Sequence, residues 1–369
     1  MRAAPAVLIA ALSGRALAAA ARRAGYAPLV ADLFGDLDTR EIAAACATLP
    51  GGVARGPDAA ALLAALERLA AGRKPVGLVL GGGFEHRPGL LRALARRFRL
   101  LSNAPAVVAR VKDPRRFAAL CRTLGVPHPE TRDAAPSAGA WLRKRAGGAG
   151  GAHVAEATPD AARRGWYVQR RVAGEPVSAL FLADGRAARL VGFSRQWPDP
   201  TPERPFRYGG AVRPAVLPPP TADPMMQAVD RLTAALGLVG LNSADFLCRA
   251  DGFDLLEINP RPGATLDIFA DAAGSLFRLH LEACDGRLPL AAPVFTGAAA
   301  SVTVYTARRM QVPAGFAWPD WAADRQPARV AVPRGGPLCT VLATAPDAAA
   351  AEALARRRAG ALRAMAEGA

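Results

Sequence analysis

Residues 243–267 read SADFLCRADGFDLLEINPRPGATLD. Phe253, Leu255, Leu256 and Ile258 mark the second half as a buried strand, yet Glu257 and Asn259 lie within it and Arg261 follows between two prolines. A buried charge costs free energy unless it is paired or metal-bound, so Glu257 needs a partner. A three-residue turn, Ala250-Asp251-Gly252, with glycine in the left-handed position, is a favoured hairpin connection. That turn pairs Arg249 with Phe253 and sets Asp245 opposite Glu257, with Asn259 two residues further along the same face. Ala244, Phe246, Cys248, Leu256 and Ile258 then form the core face. A two-residue turn would shift the register and send Asp245 to the other face.

Directly opposed strand residues hold their Cβ atoms about 4.5–5.5 Å apart. Two carboxylates that close repel each other unless a proton or cation lies between them. Oxygen ligands of this kind suit Mg²⁺ or Mn²⁺, with phosphate oxygens and water completing the shell. The competing account is that Arg249 or Arg261 neutralises the pair. Upstream, in WLRKRAGGAGGAHVA, Lys144 ends a strand and Gly147, Gly148, Gly150 and Gly151 form a loop before the next one. Backbone N–H groups of such a loop can approach phosphate oxygens while the lysine supplies positive charge. This is not a P-loop, because the GK[ST] ending is missing and the loop joins strands. A glycine-rich hairpin can equally be an ordinary turn.

With 369 residues, 51% of them hydrophobic, the chain can build two or three domains around substantial cores. Residues 1–105 alternate strands (AVLIAAL, PLVAD, VGLVLGG) with Ala-rich helices near 15–24, 58–71 and 89–97, a pattern that predicts an open, largely parallel α/β sheet. The stretch MRAAPAVLIAALSGRALAAA also fits a leader peptide, but a β-α-β unit accounts for more of its residues. Two turns, Ser13-Gly14-Arg15 and Gly81-Gly82-Gly83-Phe84-Glu85, fall at strand C-terminal ends, where such sheets bind ligands. They read equally well as tight turns. Neither is a GxGxxG fingerprint, so no dinucleotide is inferred.

From 106 to 182 a helix near 114–124 precedes short strands (WLRK, HVAEA, YVQRRV), which defines a small α+β subdomain with a glycine-rich flap. Residues 183–300 hold the carboxylate hairpin, an irregular Pro-rich connection at 197–220 and a helix with Asp223 as N-cap, Pro224 in its first turn and Gly237 at its end. Residues 301–369 add strands (ASVTVYTA, RVAVP, LCTVLATA) and an Arg-rich final helix.

The net charge of +16 invites a nucleic-acid reading. The arginines, however, run from end to end and never interleave with aromatics, so no nucleic-acid partner is expected. A basic surface that attracts ATP or an acidic small substrate fits instead. Five dispersed cysteines without a CxxC spacing indicate reduced thiols and a cytoplasmic location. The four histidines never pair at ligand spacing. No apolar run approaches the roughly 20 residues of a membrane span.

Taken together, a basic segment before a helix ending GVP, Lys144 with its glycine flap, YVQRRV, and an Asp245–Glu257–Asn259 spacing ahead of LEINPRPG resemble the ATP-grasp superfamily. The resemblance is closest over residues 112–262. It implies an ATP-grasp architecture behind a Rossmann-like N-terminal domain, with ATP and two Mg²⁺ (or Mn²⁺) ions as cofactors. By the same resemblance, Lys144 contacts the α- and β-phosphates and the 147–151 loop closes over them. Gln169, Arg170 and Val172 form the adenine hinge, where the family commonly has Glu in place of Gln169, and Glu175 reaches the ribose. Glu257 bridges the two ions, each also held by Asp245 or Asn259. Arg261 faces an acyl-phosphate, and Arg195 lies near the γ-phosphate. The family's DK pair is reversed here as Lys112-Asp113, so either Lys112 or Arg115 takes that lysine's place.

The activity implied is ligation of a small-molecule acid to an amine. The layout is similar to biotin-carboxylase-related ligases and to tyramine–glutamate ligases of methanofuran-type cofactor pathways, which suggests glutamate as the acid in C1-cofactor biosynthesis. A bicarbonate-activating carboxylase and a non-catalytic nucleotide-binding scaffold are the alternatives, and a homodimer is an expected assembly. Ser13, Arg15 and Glu85 are expected to face the acceptor across the cleft from ATP, Arg15 beside an anionic group and Glu85 beside the amine.

Overall fold

The computed structural model describes residues 3–158, 163–217, 221–270 and 275–368. Met1 and Arg2 of the leader-like stretch, and 218–220 of the Pro-rich connection, lie outside them. Strands β1 (Ala6–Ala10), β2 (Ala27–Asp32), β3 (Ala45–Thr48) and β4 (Leu78–Leu80) form a parallel sheet in the order β3-β2-β1-β4. All five residues of β1 are buried, as a strand covered on both faces requires. Helices α1 (Arg15–Arg23), α2 (Leu37–Ile42), α3 (Ala59–Ala70) and α4 (Pro88–Arg97) complete this unit. The Asp58 carboxylate starts α3 by accepting the Ala61 N–H at 2.8 Å. The expected open α/β domain is therefore present. It gains β3, whose alternation of half-buried and exposed residues, ACAT, is too short to register as a pattern.

Helices α5 (Pro105–Val111) and α6 (Pro114–Thr123) lead into a small antiparallel sheet. It comprises β5 (Thr131–Arg132), β6 (Trp141–Arg145), β7 (Ala155–Glu156) and β8 (Trp166–Arg170), in the order β5-β8-β6-β7. The main sheet has eight strands: β9 (Glu175–Asp184), β10 (Ala188–Pro198), β11 (Tyr208–Arg213), β12 (Val239–Arg249), β13 (Gly252–Asn259), β14 (Ala298–Tyr305), β15 (Ala322–Ala323) and β16 (Pro337–Ala345). Their order is β13-β12-β9-β10-β11-β14-β16-β15. This sheet crosses two of the expected boundaries, since β9 straddles 182/183 and β14 straddles 300/301. Strand β11 also lies inside the stretch expected to be irregular, its alternation masked by Gly209 and Gly210.

Helix α7 (Ala222–Leu236) ends at Gly237 in the left-handed conformation, as expected, but its N-cap is Thr221 rather than Asp223. Helices α8 (Ser275–Cys284) and α9 (Ala348–Gly368) pack on opposite parts of the main sheet, α9 against β14 and β16. Val7, Ile9 and Leu17 of the N-terminal unit share one core with Leu180, Leu182, Phe269 and Phe277. The parallel sheet is thus fixed to the main sheet by continuous apolar packing.

The hairpin that decides the fold differs from expectation in two ways that cancel. Arg249 pairs with Gly252, so the turn has two residues, not three. A bulge then follows: Phe246 pairs with Leu255 while Asp245 pairs with Glu257, leaving Leu256 as the extra residue. A bulge re-aims the side chains beyond it. Phe253 and Leu255 enter the core with Ile258, while Leu256, expected there, lines the cleft beside Glu257.

Candidate active site

A cleft of about 960 Å³ opens between the small sheet and the face of β9, β12 and β13. Asp245 and Glu257 are direct cross-strand partners on its floor, and Asn259 stands opposite Ser243. The Asn259 amide donates to Asp245 Oδ2 at 2.9 Å. Lys112 Nζ reaches across from the end of α5 to donate to Glu257 Oε2 and Asn259 Oδ1, both at 2.9 Å. Asp245 Oδ1 is buried and has no hydrogen-bond partner. Burial, reinforced by the neighbouring Glu257 charge, pushes the Asp245 carboxyl up to about 6. Burial acts the same way on Glu257, but the Lys112 and Lys144 ammonium groups outweigh it and hold that carboxyl below its ordinary value.

These residues fit a divalent cation. An orphaned, desolvated carboxylate oxygen beside a second carboxylate and an amide oxygen is an oxygen-only donor set of the kind divalent cations take, and Lys112 brings it a single positive charge through Glu257 and Asn259. Neither arginine considered as a neutralising partner is bonded to the pair: Arg249 is bound to Asp254 and Asp251, and Arg261, bound to Glu85, acts on Asp245 only through space. Among the described residues no three His, Cys, Asp or Glu side chains converge. A bound ion would therefore depend on phosphate oxygens and water for the rest of its shell.

At the other end of the cleft Lys144, on β6, donates to Gln169 Oε1 on β8 at 2.6 Å. Burial lowers the lysine's pKa, opposed by Glu257 and Asp245. His128 Nδ1 lies 2.7 Å from the Leu255 carbonyl, so it carries the proton and leaves Nε2 as acceptor, 3.5 Å from Gln169 Nε2. Arg170 and Val172 border the same end. Of the two basic residues considered for the first nucleotide lysine, Lys112 is in the cleft, whereas Arg115 is exposed and paired with Asp133.

The flap follows β6. Gly147, Gly150 and Gly151 all have φ near +70°, where a side chain is strained. The Gly150 carbonyl accepts the Tyr208 N–H at 3.0 Å, and a Cβ on Gly151 would lie 1.8 Å from the Phe206 carbonyl oxygen. Gly147 packs against the backbone of His86 in the N-terminal domain. His153, beneath the flap, has a buried Nδ1 without a partner, and burial pushes its imidazole down to about 4. Sequence reading missed His128, His153 and Tyr208 as cleft residues. Their only signal is a lone polar or aromatic residue next to a motif.

Several expected site residues lie elsewhere. Arg195 points away from the cleft to Glu352 of α9 and, at 3.4 Å, to Glu175, while its neighbours Gln196 and Trp197 line the cleft. Glu175 is likewise absent from the cleft wall. Ser13 Oγ donates to Asp324 at 3.0 Å. Arg15 makes two 2.5 Å hydrogen bonds to Asp267 and two of 3.1 Å to Asp324. These carboxylates consume the guanidinium that was expected to hold an anionic substrate group. Glu85 is also absent from the cleft wall and reaches it only through Arg261, whose Nε it accepts at 2.6 Å, along with the N–H groups of Gly83 and Phe84. Burial opposes its ionisation, yet Arg261 and Lys112 hold its carboxyl down at about 2.

A family model described as an ATP-grasp domain matches residues 112–265. Among curated proteins none matches the chain in sequence. Among solved structures, the biotin carboxylase domain dimer of Hydrogenobacter thermophilus 2-oxoglutarate carboxylase, in complex with MgADP, ADP and bicarbonate, superposes with a TM-score of 0.72 at 13% identity. That match covers 97% of this chain and 90% of the other. The L-amino acid ligase of Bacillus licheniformis gives 0.67 at 12% identity, covering 97% of both chains. N5-carboxyaminoimidazole ribonucleotide synthetase of Thermotoga maritima gives 0.66 at 14%, covering 96% of this chain and 97% of the other.

Proposed function

We propose that this chain, which carries an ATP-grasp domain at residues 112–265, is an ATP-dependent carboxylate–amine ligase that forms an amide bond through an acyl-phosphate. The observation that carries the reading is the Asp245–Glu257 pair, with its orphaned carboxylate oxygen, in one cleft with Lys112, Lys144 and the glycine flap. In the reaction a substrate carboxylate oxygen attacks the γ-phosphorus of ATP and ADP leaves. An amine then attacks the acyl carbon, phosphate leaves, and the amine gives up a proton.

Such chemistry rests on positioning and charge stabilisation rather than on a protein nucleophile. Lys144 and the N–H groups of the 147–151 loop hold the ATP phosphates. Gln169, Arg170 and Val172 border the base, and Arg261 binds the acyl-phosphate oxygens. Asp245, Glu257 and Asn259 would hold the Mg²⁺ (or Mn²⁺) ions, two by the family resemblance. When bound, the ions supply neutralisation of the phosphate charge. Lys112, hydrogen-bonded to Glu257 and Asn259, keeps both oriented.

A finer reading is that glutamate is the activated acid and that the amide belongs to C1-cofactor biosynthesis. Its support is the resemblance of the motif order in this sequence to that of tyramine–glutamate ligases. Homodimerisation belongs to the same proposal, supported by the dimeric Hydrogenobacter domain. The test is ADP release from mixtures of amino acids and amines, with mass spectrometry of the products. Release that needs both an acid and an amine is the expected result. Release driven by bicarbonate alone would reassign the enzyme as a carboxylase, and ATP binding without turnover would make it a scaffold.

A further inference from the structure

The turn Gly81–Glu85 leaves the C-terminal end of β4 and meets Arg261, which comes from beyond the metal strand. Glu85 is buried and uses both carboxylate oxygens: Oε2 accepts the Gly83 and Phe84 N–H groups at 2.8 and 2.9 Å, and Oε1 accepts Arg261 Nε at 2.6 Å. A carboxylate engaged in this way on both oxygens is a poor receptor for a substrate amine. A Cβ on Gly82 would stand 3.3, 3.4 and 3.6 Å from Nε, Cζ and Nη2 of Arg261, so the guanidinium lies face-on against a peptide that has no side chain. Arg261 Nη1 also donates to the Pro262 carbonyl at 3.1 Å. The guanidinium is thus held on one edge and one face, and it still lines the cleft.

We propose that Glu85 and Gly82 are positioning residues for Arg261. Through them the N-terminal domain sets the guanidinium as a rigid receptor for a tetrahedral phosphate, either the acyl-phosphate or the phosphate product. This rests on the reading that Arg261 binds the acyl-phosphate. Fixing a guanidinium before binding spares the ligand the cost of ordering it, and charge-assisted hydrogen bonds to phosphate depend on that geometry. The N-terminal domain then contributes to catalysis through an arginine that belongs to the neighbouring domain.

Inorganic phosphate is the probe, with its binding to the MgADP-loaded protein measured by equilibrium dialysis. MgADP affinity and thermal midpoint are measured on the same samples. Glu85→Gln and Gly82→Ala should each weaken phosphate binding about tenfold while MgADP affinity stays within about twofold. Adding either change to Arg261→Ala should produce no further loss. Should Arg261→Ala weaken phosphate while both positioning variants bind it normally, the proposal falls and the role of Arg261 stands. Should Arg261→Ala itself bind phosphate normally, the reading of Arg261 falls, and the proposal with it. If Glu85→Gln does not fold, Gly82→Ala carries the test alone, because the three atoms nearest its new methyl all belong to the Arg261 guanidinium and none to backbone.

Discussion

At the scale of single residues, two carboxylates that face each other across one strand pair are driven in opposite directions. Asp245 is pushed up to about 6 by burial and by Glu257, while the lysines pull Glu257 down. Only the deprotonated carboxylate binds a cation. A proton on Asp245 therefore competes with Mg²⁺ as the pH falls through about 6. Mg²⁺ affinity, titrated calorimetrically with ADP present, should rise with pH across that point and level off above about 7. Asp245→Asn should weaken the binding and flatten the profile. Glu257→Gln should lower ADP release by about 100-fold or more with the fold kept, because the core face of β13 is untouched and the amide oxygen still accepts from Lys112. Near-normal turnover at saturating Mg²⁺ would remove Glu257 from the mechanism. The pairing of these residues was legible in the sequence, though not by the route the turn suggested. The apolar residues fixed which side chains face the core, and a bulge at Leu256 absorbed the residue that the shorter turn displaced.

Among elements, the glycine flap ties the cleft to distant parts of the chain. It is held from both sides, by Tyr208 and Phe206 on one and by His86 on the other. Its lysine and glycines were visible in the sequence because glycine is the residue that tolerates φ near +70°. What the flap docks onto was not visible, because its partners are about 50 to 60 residues away in both directions. Arg195 went astray for the same reason. A basic residue near the motif reads as a phosphate contact until Glu352, 157 residues further on, turns out to hold it. Gly151→Ala should be sharply selective, since its methyl would meet the Phe206 carbonyl oxygen at 1.8 Å and would also need a strained φ. The docked flap is then lost while the sheets remain. Turnover should fall by about tenfold or more, and limited proteolysis should cut the 147–151 loop equally with and without MgATP. Protection of the variant by nucleotide would show that the loop closes without docking there.

At the scale of the whole molecule, three segments far apart in sequence converge on Arg15. It opens α1; Asp267 ends the short turn whose Ala264 and Thr265 line the cleft; Asp324 follows β15. Asp38 of α2 joins by accepting the Asp324 and Arg325 N–H groups at 2.8 and 2.9 Å. The alternation of strands and helices over residues 1–105 predicted the parallel sheet, but nothing local predicts an ion cluster whose members lie 252 and 309 residues apart. Arg15 had looked like a substrate residue because strand-end turns bind ligands, and here the ligand is the protein's own second half.

The consequence is a stability term with a definite pH signature. Removing one member of a buried ionic cluster leaves the others unpaired, a loss of about 3–5 kcal/mol. Arg15→Met, which keeps the apolar stem, should show that loss in urea denaturation at pH 7. Burial raises the Asp324 carboxyl, but Arg15 outweighs it and holds it below its ordinary value. The stabilisation is therefore complete above the unfolded carboxylate pKa of about 4 and is lost as the pH falls below it. In the variant, Asp324 without Arg15 takes up a proton more readily, so the gap between the two proteins should narrow as the pH is lowered through the same range. A gap that stayed constant from pH 7 to 3 would mean that Arg15 acts through packing rather than charge.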